Sequence, residues 1–268
     1  MAGASTAANA PDTRSPRDRH TGPTGTSPSV SRLVRSLTLA PVLRRAVARY
    51  AVPPGSSPTR TGCDGCGAPL GPALGPAGRC PACQARVGAP PASVELALVA
   101  ALAVLVLVDA TLGERAALAW WLGWAIPLLL VDLAVHRLPD RLTLPAAAGT
   151  GVLLGVAALT GPGAGPWLRA VAAGVGLGLA FAATTLLLGR RGFGLGDAKL
   201  ALSVGALLGW HGWPVLVAGL MLTFALSAVV SLGLLLARRA RWSSHLPFGP
   251  FLILGATATL ILHTCRAS

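Results

Sequence analysis

From Ser93 onward the chain alternates long apolar runs with short polar joints. A helix rising 1.5 Å per residue needs about 20 residues to cross a hydrocarbon core about 30 Å thick, and the runs have that length, so they predict membrane spans rather than a globular core. The joints set the spans at 93–112, 116–136, 142–160, 168–188, 198–210, 213–237 and 247–263. Seven transmembrane helices are expected. The fifth run is short for a full crossing: it either starts inside a cytoplasm-facing cavity or merges with its neighbour around His211, Gly212 and Pro214.

The residues before Ser93 follow no such pattern. Residues 1–30 are rich in Ala, Ser, Thr, Pro and Gly without apolar periodicity, so they cannot bury enough surface to offset the entropy of ordering and are expected to form a disordered tail. They hold no apolar stretch of the kind a secretory signal needs, which predicts a cytoplasmic N-terminus. Residues 31–62 read as a basic amphipathic and linker segment. There, Leu and Val mix with Arg32, Arg35, Arg44, Arg45 and Arg49, a pattern suited to a helix on an anionic surface, kinked at Pro41. Nine arginines against Asp12 and Asp18 give residues 1–62 a charge of +7, which suits anionic lipid; a solvated basic tail fits the same composition.

Composition sharpens the class. With 53% hydrophobic and 12% charged residues the chain has the make-up of an integral membrane protein. A formal charge of +13 would point to nucleic acid in a soluble protein, but here the arginines sit in the N-terminal segment and the joints, so no nucleic-acid partner is expected. The joints bearing Arg137 and Arg141, Arg190 and Arg191, and Arg238, Arg239 and Arg241 fall on one side, and Arg115, Arg169 and Arg266 on the other. By the positive-inside rule the first side is cytoplasmic. Trp120, Trp121, Trp124, Trp210 and Trp213 lie toward the outer ends and read as an interfacial belt, with Asp109, Glu114 and His211 as boundary residues.

Residues 63–92 carry Cys63, Cys66, Cys80 and Cys83 as two Cys-x2-Cys knuckles separated by 13 residues. Four thiolates so spaced suit a tetrahedral zinc site, and the Gly and Pro between the knuckles let a short chain turn back. A disulfide pair is disfavoured on a reducing side of the membrane. The expected fold is all-α: a polytopic helical membrane protein with a small N-terminal cytoplasmic zinc segment, residues 93–268 forming the transmembrane domain.

Two carboxylates carry the candidate chemistry. Asp132, in VDLAVHRLPDRLTLP, and Asp197, in GFGLGDAKL, end or open separate apolar runs on the same predicted side. An acid beside hydrocarbon costs on the order of 2.5–3.5 kcal/mol on insertion scales, so such residues usually serve function. Two facing carboxylates can share a proton, one activating water while the other protonates an amide carbonyl. Gly192, Gly194 and Gly196 would let a bound peptide strand come close. Phosphate cradling by the glycine-rich loop is a rival, but the strand and wider pattern of a nucleotide site are absent. Asp197 also suits a helix N-cap, and Asp140, in LPD, suits a turn or cap. Lys199 is the only lysine among 22 basic residues; it could tune Asp197, contact lipid phosphate or orient a substrate. His136 and His245 lie in joints near these acids, and Glu95, in the first turn of its run, is favoured there by the helix dipole alone. A transporter or channel using Asp132 and Asp197 for protons or cations is the alternative, and a noncatalytic scaffold docking through the zinc segment a third reading.

Across residues 46–263 the double cysteine knuckle, SVELALV, Asp132 with LPDRLTLP, GLGDAKL and LPFGPFL follow one another in an order that resembles the type IV prepilin peptidases, members of the wider GxGD intramembrane aspartyl proteases. The resemblance implies a protease of the bacterial inner membrane. Its catalytic aspartates would be Asp132 and Asp197, with Asp140 as the reserve candidate and Gly194, Gly196 and Lys199 in support. It would cut a type IV prepilin or pseudopilin on the cytoplasmic side, between basic leader and apolar helix. Longer members of the family also methylate the new N-terminus with S-adenosylmethionine, using the cysteine region, and Glu95 could belong to that activity. They place a further helix before that region, where this chain has the short, charged stretch 31–50, so S-adenosylmethionine is implied only if methylation is retained.

Overall fold

The computed structural model describes residues 39–52, 59–71, 74–189, 193–238 and 247–267. The expected disordered tail, the joint at Arg190, Arg191 and Gly192, and Arg239, Arg241 and His245 lie outside these residues. Among the described residues there are eight helices: α1 (Ala40–Tyr50), α2 (Ser93–Leu107), α3 (Leu112–Val135), α4 (Asp140–Thr160), α5 (Ala164–Leu188), α6 (Leu195–His211), α7 (Trp213–Leu236) and α8 (Gly249–Ala267). The fold is all-α, and α2 to α8 follow the seven apolar runs in order. Four of them, α3, α4, α5 and α7, are long and apolar enough to cross a membrane. On α4, α5 and α7 large side chains face outward, with Leu159, Leu186, Leu187 and Leu236 each 76–88% exposed, as lipid contact requires.

The short fifth run becomes the centre of the bundle. Leu200, Ala201, Val204, Leu207 and Leu208 of α6 are each at most 2% exposed, because α6 packs against α4, α5, α7 and α8. It does not merge with α7: Gly212, at φ 131°, ends it in a conformation that favours glycine. Close approach to α5 comes from small residues on both sides. A Cβ on Gly205 would lie 2.7 Å from the Ala173 carbonyl oxygen, and one on Gly174 2.6 Å from that of Leu202, so the two backbones touch as small-residue faces allow.

Two expectations change with packing. Pro41 sits in the first turn of α1, where its missing N–H costs no helical bond, so it opens the helix instead of kinking it. Trp121 and Trp210 are 1% and 4% exposed and so do not offer their rings to a surrounding interface; each indole N–H has an internal partner, Ser203 Oγ at 3.1 Å and Glu114 Oε1 at 2.6 Å. Glu114 also closes a capping box with Thr111, while Arg169 donates to the Gly209 and Trp210 carbonyls at the end of α6. The boundary acid is thus a structural acceptor.

Helix α1 buries the arginine that its pattern assigned to a lipid surface. Arg44 is fully buried; it donates to Glu95 Oε2 at 2.5 Å and to the carbonyls of Ala89 and Pro90 at 3.4 and 3.1 Å. Glu95 therefore does more than favour the dipole of α2: it ties α1 to the start of the apolar bundle. Removing one partner of a buried pair costs roughly 3–5 kcal/mol because the other charge is left uncompensated. Glu95→Gln should lower the thermal midpoint of the detergent-solubilised protein sharply, whereas Arg45→Gln, at an exposed position of the same helix, should leave it nearly unchanged.

Candidate functional site

Asp132 stands in the last turn of α3, and the helix stops just beyond it. His136 adopts the left-handed conformation at φ 54° while its N–H still donates to the Asp132 carbonyl. The chain then turns through Arg137, Leu138 and Pro139 into α4, whose first residue is Asp140. The Asp132 side chain points inward: the residue is 4% exposed, and its Oδ2 accepts the N–H of Gly249, the first residue of α8, at 3.1 Å. Glycine leaves the carboxylate room to approach. A Cβ on Gly249 would lie 2.7 Å from that carboxylate oxygen.

Asp197 is the third residue of α6 rather than its N-cap. The cap is Gly194, and Asp197 reaches back one turn so that its Oδ2 accepts the Gly194 N–H at 3.1 Å, the acidic half of a capping box. The helix dipole favours an anion at this position. Both carboxylates are therefore held through one oxygen by a main-chain N–H. Among the described residues the second oxygen of each accepts no hydrogen bond.

Leu138 joins the two halves. It is buried, and it fills the space beside both glycines: a Cβ on Gly196 would lie 2.8 Å from Leu138 Cβ, and one on Gly249 3.4 Å from Leu138 Cδ1. Gly196 thus permits the approach of α6 to the α3–α4 turn. Leu138 thus touches the glycine beside each acid, Gly249 for Asp132 and Gly196 for Asp197. Next to this junction Lys199 Nζ meets Asp140 Oδ1 at 2.5 Å, which answers part of the question raised by the lone lysine. It links the start of α4 to α6.

The sequence reading missed Gly249, Leu138 and the Arg44–Glu95 pair. LPFGPFL marked the segment that supplies Gly249, but nothing in the string reveals which carboxylate its N–H would meet. His136 is exposed, and its backbone ends α3.

The cysteine segment forms a separate polar site. Its two knuckles repeat with an offset of 17 residues: Cys63 corresponds to Cys80, Cys66 to Cys83, positive-φ Gly67 to positive-φ Gln84, and the bridge Gly62–Pro69 to Arg79–Arg86. The four Sγ atoms lie within 4.8 Å of one another, with 3.5 Å between Cys63 and Cys83 and 3.7 Å between Cys66 and Cys80. A tetrahedron with metal–sulfur bonds of about 2.3 Å has edges of about 3.8 Å, so the cluster can hold a metal ion. A disulfide would need sulfurs about 2.05 Å apart. The cluster splits its thiols: backbone hydrogen bonds from Cys83 and then Ala82 bring Cys80 down to about 7, while Cys83, despite a lowering bond from the Ala85 backbone, is pushed up to about 12 by sharing hydrogen bonds with Cys66 and Cys63. The segment is fastened to α1, where a Cβ on Gly88 would lie 2.7 Å from Ala48 Cα.

Residues 116–237 match the model of the type IV leader peptidase family. That stretch contains Asp132, Asp140, Gly194, Gly196, Asp197 and Lys199, and stops before Gly249. Among curated proteins, the chain is 36% identical over 185 residues to a prepilin leader peptidase/N-methyltransferase of Aeromonas salmonicida (strain A449), covering 69% of this chain and 62% of the relative. Proteins of the same name from Burkholderia pseudomallei (strain K96243) and Pseudomonas putida are 34% and 31% identical, over 70% and 65% of this chain and 59% of each relative. The chain thus spans about three fifths of the length of these relatives. No solved structure matches. The transporter alternative gains no support from either comparison.

A partly exposed ion pair such as Lys199–Asp140, with side chains 34% and 59% exposed, contributes about 0.2–1 kcal/mol. A double-mutant cycle of Lys199→Met and Asp140→Asn, read by thermal unfolding in detergent, should return a coupling in that range. Strict additivity would mean that the pair contributes nothing.

Proposed function

We propose, on the match of residues 116–237 to the type IV leader peptidase family, that this chain is a membrane aspartic endopeptidase which removes the basic leader from type IV prepilins or pseudopilins. The observation that carries this reading is the junction of Asp132 and Asp197, two carboxylates from different helices at one end of the bundle, each gripped through a single oxygen. One carboxylate takes a proton from a water molecule while the other gives one to the scissile carbonyl oxygen. The water oxygen then adds to the carbonyl carbon, and the C–N bond breaks as the leaving nitrogen takes up a proton. The main-chain N–H groups of Gly249 and Gly194 would keep the two acids oriented through both steps. Gly194 is exposed at the mouth of this junction, where an extended peptide could lie against it; Gly196 and the Lys199–Asp140 link would hold the mouth in shape.

We place the protein in the bacterial inner membrane, with the N-terminus and both aspartates on the cytoplasmic side, where the arginine-rich joints also fall. Residues 93–268 form the peptidase domain. Residues 63–92 are a zinc module, in which Cys63, Cys66, Cys80 and Cys83 would hold the ion and its charge would keep all four sulfurs as thiolates. The names of the relatives also carry N-methyltransferase activity; S-adenosylmethionine would be a cosubstrate here only if that activity is retained.

The test is leader removal from a coexpressed prepilin. Asp132→Asn and Asp197→Asn should each abolish it while membrane insertion stays intact, and Asp140→Asn should retain most of it. Normal cleavage by either of the first two variants contradicts the proposal.

A further inference from the structure

Four of the five phenylalanines in the chain meet beside the two carboxylates. Phe181 comes from α5 and Phe224 from α7; Phe193 immediately precedes the Gly194 cap of α6, and Phe248 immediately precedes Gly249 at the start of α8. Ring centroids lie 4.6 Å apart for Phe181 and Phe193, 4.7 Å for Phe193 and Phe248, 5.5 Å for Phe224 and Phe248, 5.8 Å for Phe181 and Phe248, and 6.1 Å for Phe193 and Phe224. These separations are those of attractive aromatic pairs. The Phe193 backbone is fixed as well, because the Thr185 hydroxyl reaches both its carbonyl and that of Phe181.

The placement of two of these rings is what matters. Each residue that donates an N–H to one of these two aspartates, Gly194 to Asp197 and Gly249 to Asp132, directly follows one member of the Phe193–Phe248 pair. A glycine has no side chain with which to fix its own peptide plane. The plane that carries the Gly194 N–H begins at the Phe193 carbonyl, and the plane that carries the Gly249 N–H begins at the Phe248 carbonyl. The ring contact, together with the Thr185 hydroxyl on the Phe193 carbonyl, thus bears on the peptide planes that carry both donors.

We infer that Phe193 and Phe248 are positioning residues, and that their mutual contact couples the orientation of Asp132 to that of Asp197. Phe224 and Phe181 buttress the pair but precede no carboxylate donor. The structural part of this inference stands on geometry alone; its consequence for turnover rests on the reading of the site as a peptidase.

The test uses the full-length protein in nanodiscs and two readouts. Amide hydrogen exchange is followed at Gly194 and Gly249. Phe193→Leu should speed exchange at both amides, and Phe248→Leu likewise, by about tenfold, the upper end of what one aromatic pair is worth. Phe224→Leu, which removes only a buttress, should change both much less, and Phe193→Tyr, which keeps the ring, should restore protection. In prepilin cleavage, Phe193→Leu and Phe248→Leu should each lower kcat on the order of ten- to a hundredfold with KM nearly constant, as misplaced catalytic groups do, and the double variant should be no worse than either single. Exchange that rises only at the glycine next to each substitution, or at neither, overturns the inference; so does an equal effect of Phe224→Leu, or a rise in KM at constant kcat. If Asp132→Asn and Asp197→Asn cleave normally, the peptidase reading fails while the exchange data still decide the coupling. If those variants are inactive and exchange is uncoupled, the inference alone fails.

Discussion

A carboxylate at the edge of a hydrocarbon layer must be held by donors that do not themselves crowd it, and the main-chain N–H of a glycine is the smallest such donor. The rest of the site depends on this constraint. Asp132 accepts from Gly249 and Asp197 from Gly194, and a Cβ on Gly249 would strike the Asp132 carboxylate at 2.7 Å. Because each donor belongs to the start of a helix, the helices must begin where the carboxylates lie. Hence α3 ends, and α4, α6 and α8 begin, at the same end of the bundle.

This convergence explains the proportions of the fold. Helix α6 carries one carboxylate and packs against most of its neighbours, so it is short, small-residue-rich and buried, while the lipid-facing surface falls to longer helices such as α5 and α7. Small residues on α5 and α6 let the backbones touch, which fixes the depth of Asp197 relative to its surroundings. On the N-terminal side, Arg44 and Glu95 dock α1 to α2, and the cysteine knuckles dock to α1 through Gly88. The cysteine cluster and the carboxylate junction are thereby parts of one packed body.

Much of this was legible in the sequence. The seven apolar runs, the four clustered cysteines and the pair of unusual acids were plain because membrane thickness, metal geometry and the cost of charge in lipid leave periodic or compositional marks. What could not be read were partners distant in the chain. Gly249 lies 117 residues from Asp132, and no local rule relates them. Arg44 looked like a lipid contact because amphipathic patterning reports a polar face without saying whether an acid from another helix covers it. Trp121 and Trp210 looked interfacial for the same reason, since a hydroxyl or carboxylate partner is invisible in a one-dimensional pattern. The lone lysine was recognised as unusual, but its contact with Asp140 required the turn between α3 and α4 to fold back on α6.

The proposed function requires that Asp132 and Asp197 act as one electrostatically coupled unit rather than as two separate acids. The most direct measurement is a pH titration of their carboxyl infrared bands in the intact protein, repeated in Asp132→Asn and Asp197→Asn. Coupling requires that removing either acid moves the titration midpoint of the one that remains, by the same linkage in both directions. Midpoints that stay where they were in the unsubstituted protein would contradict the account.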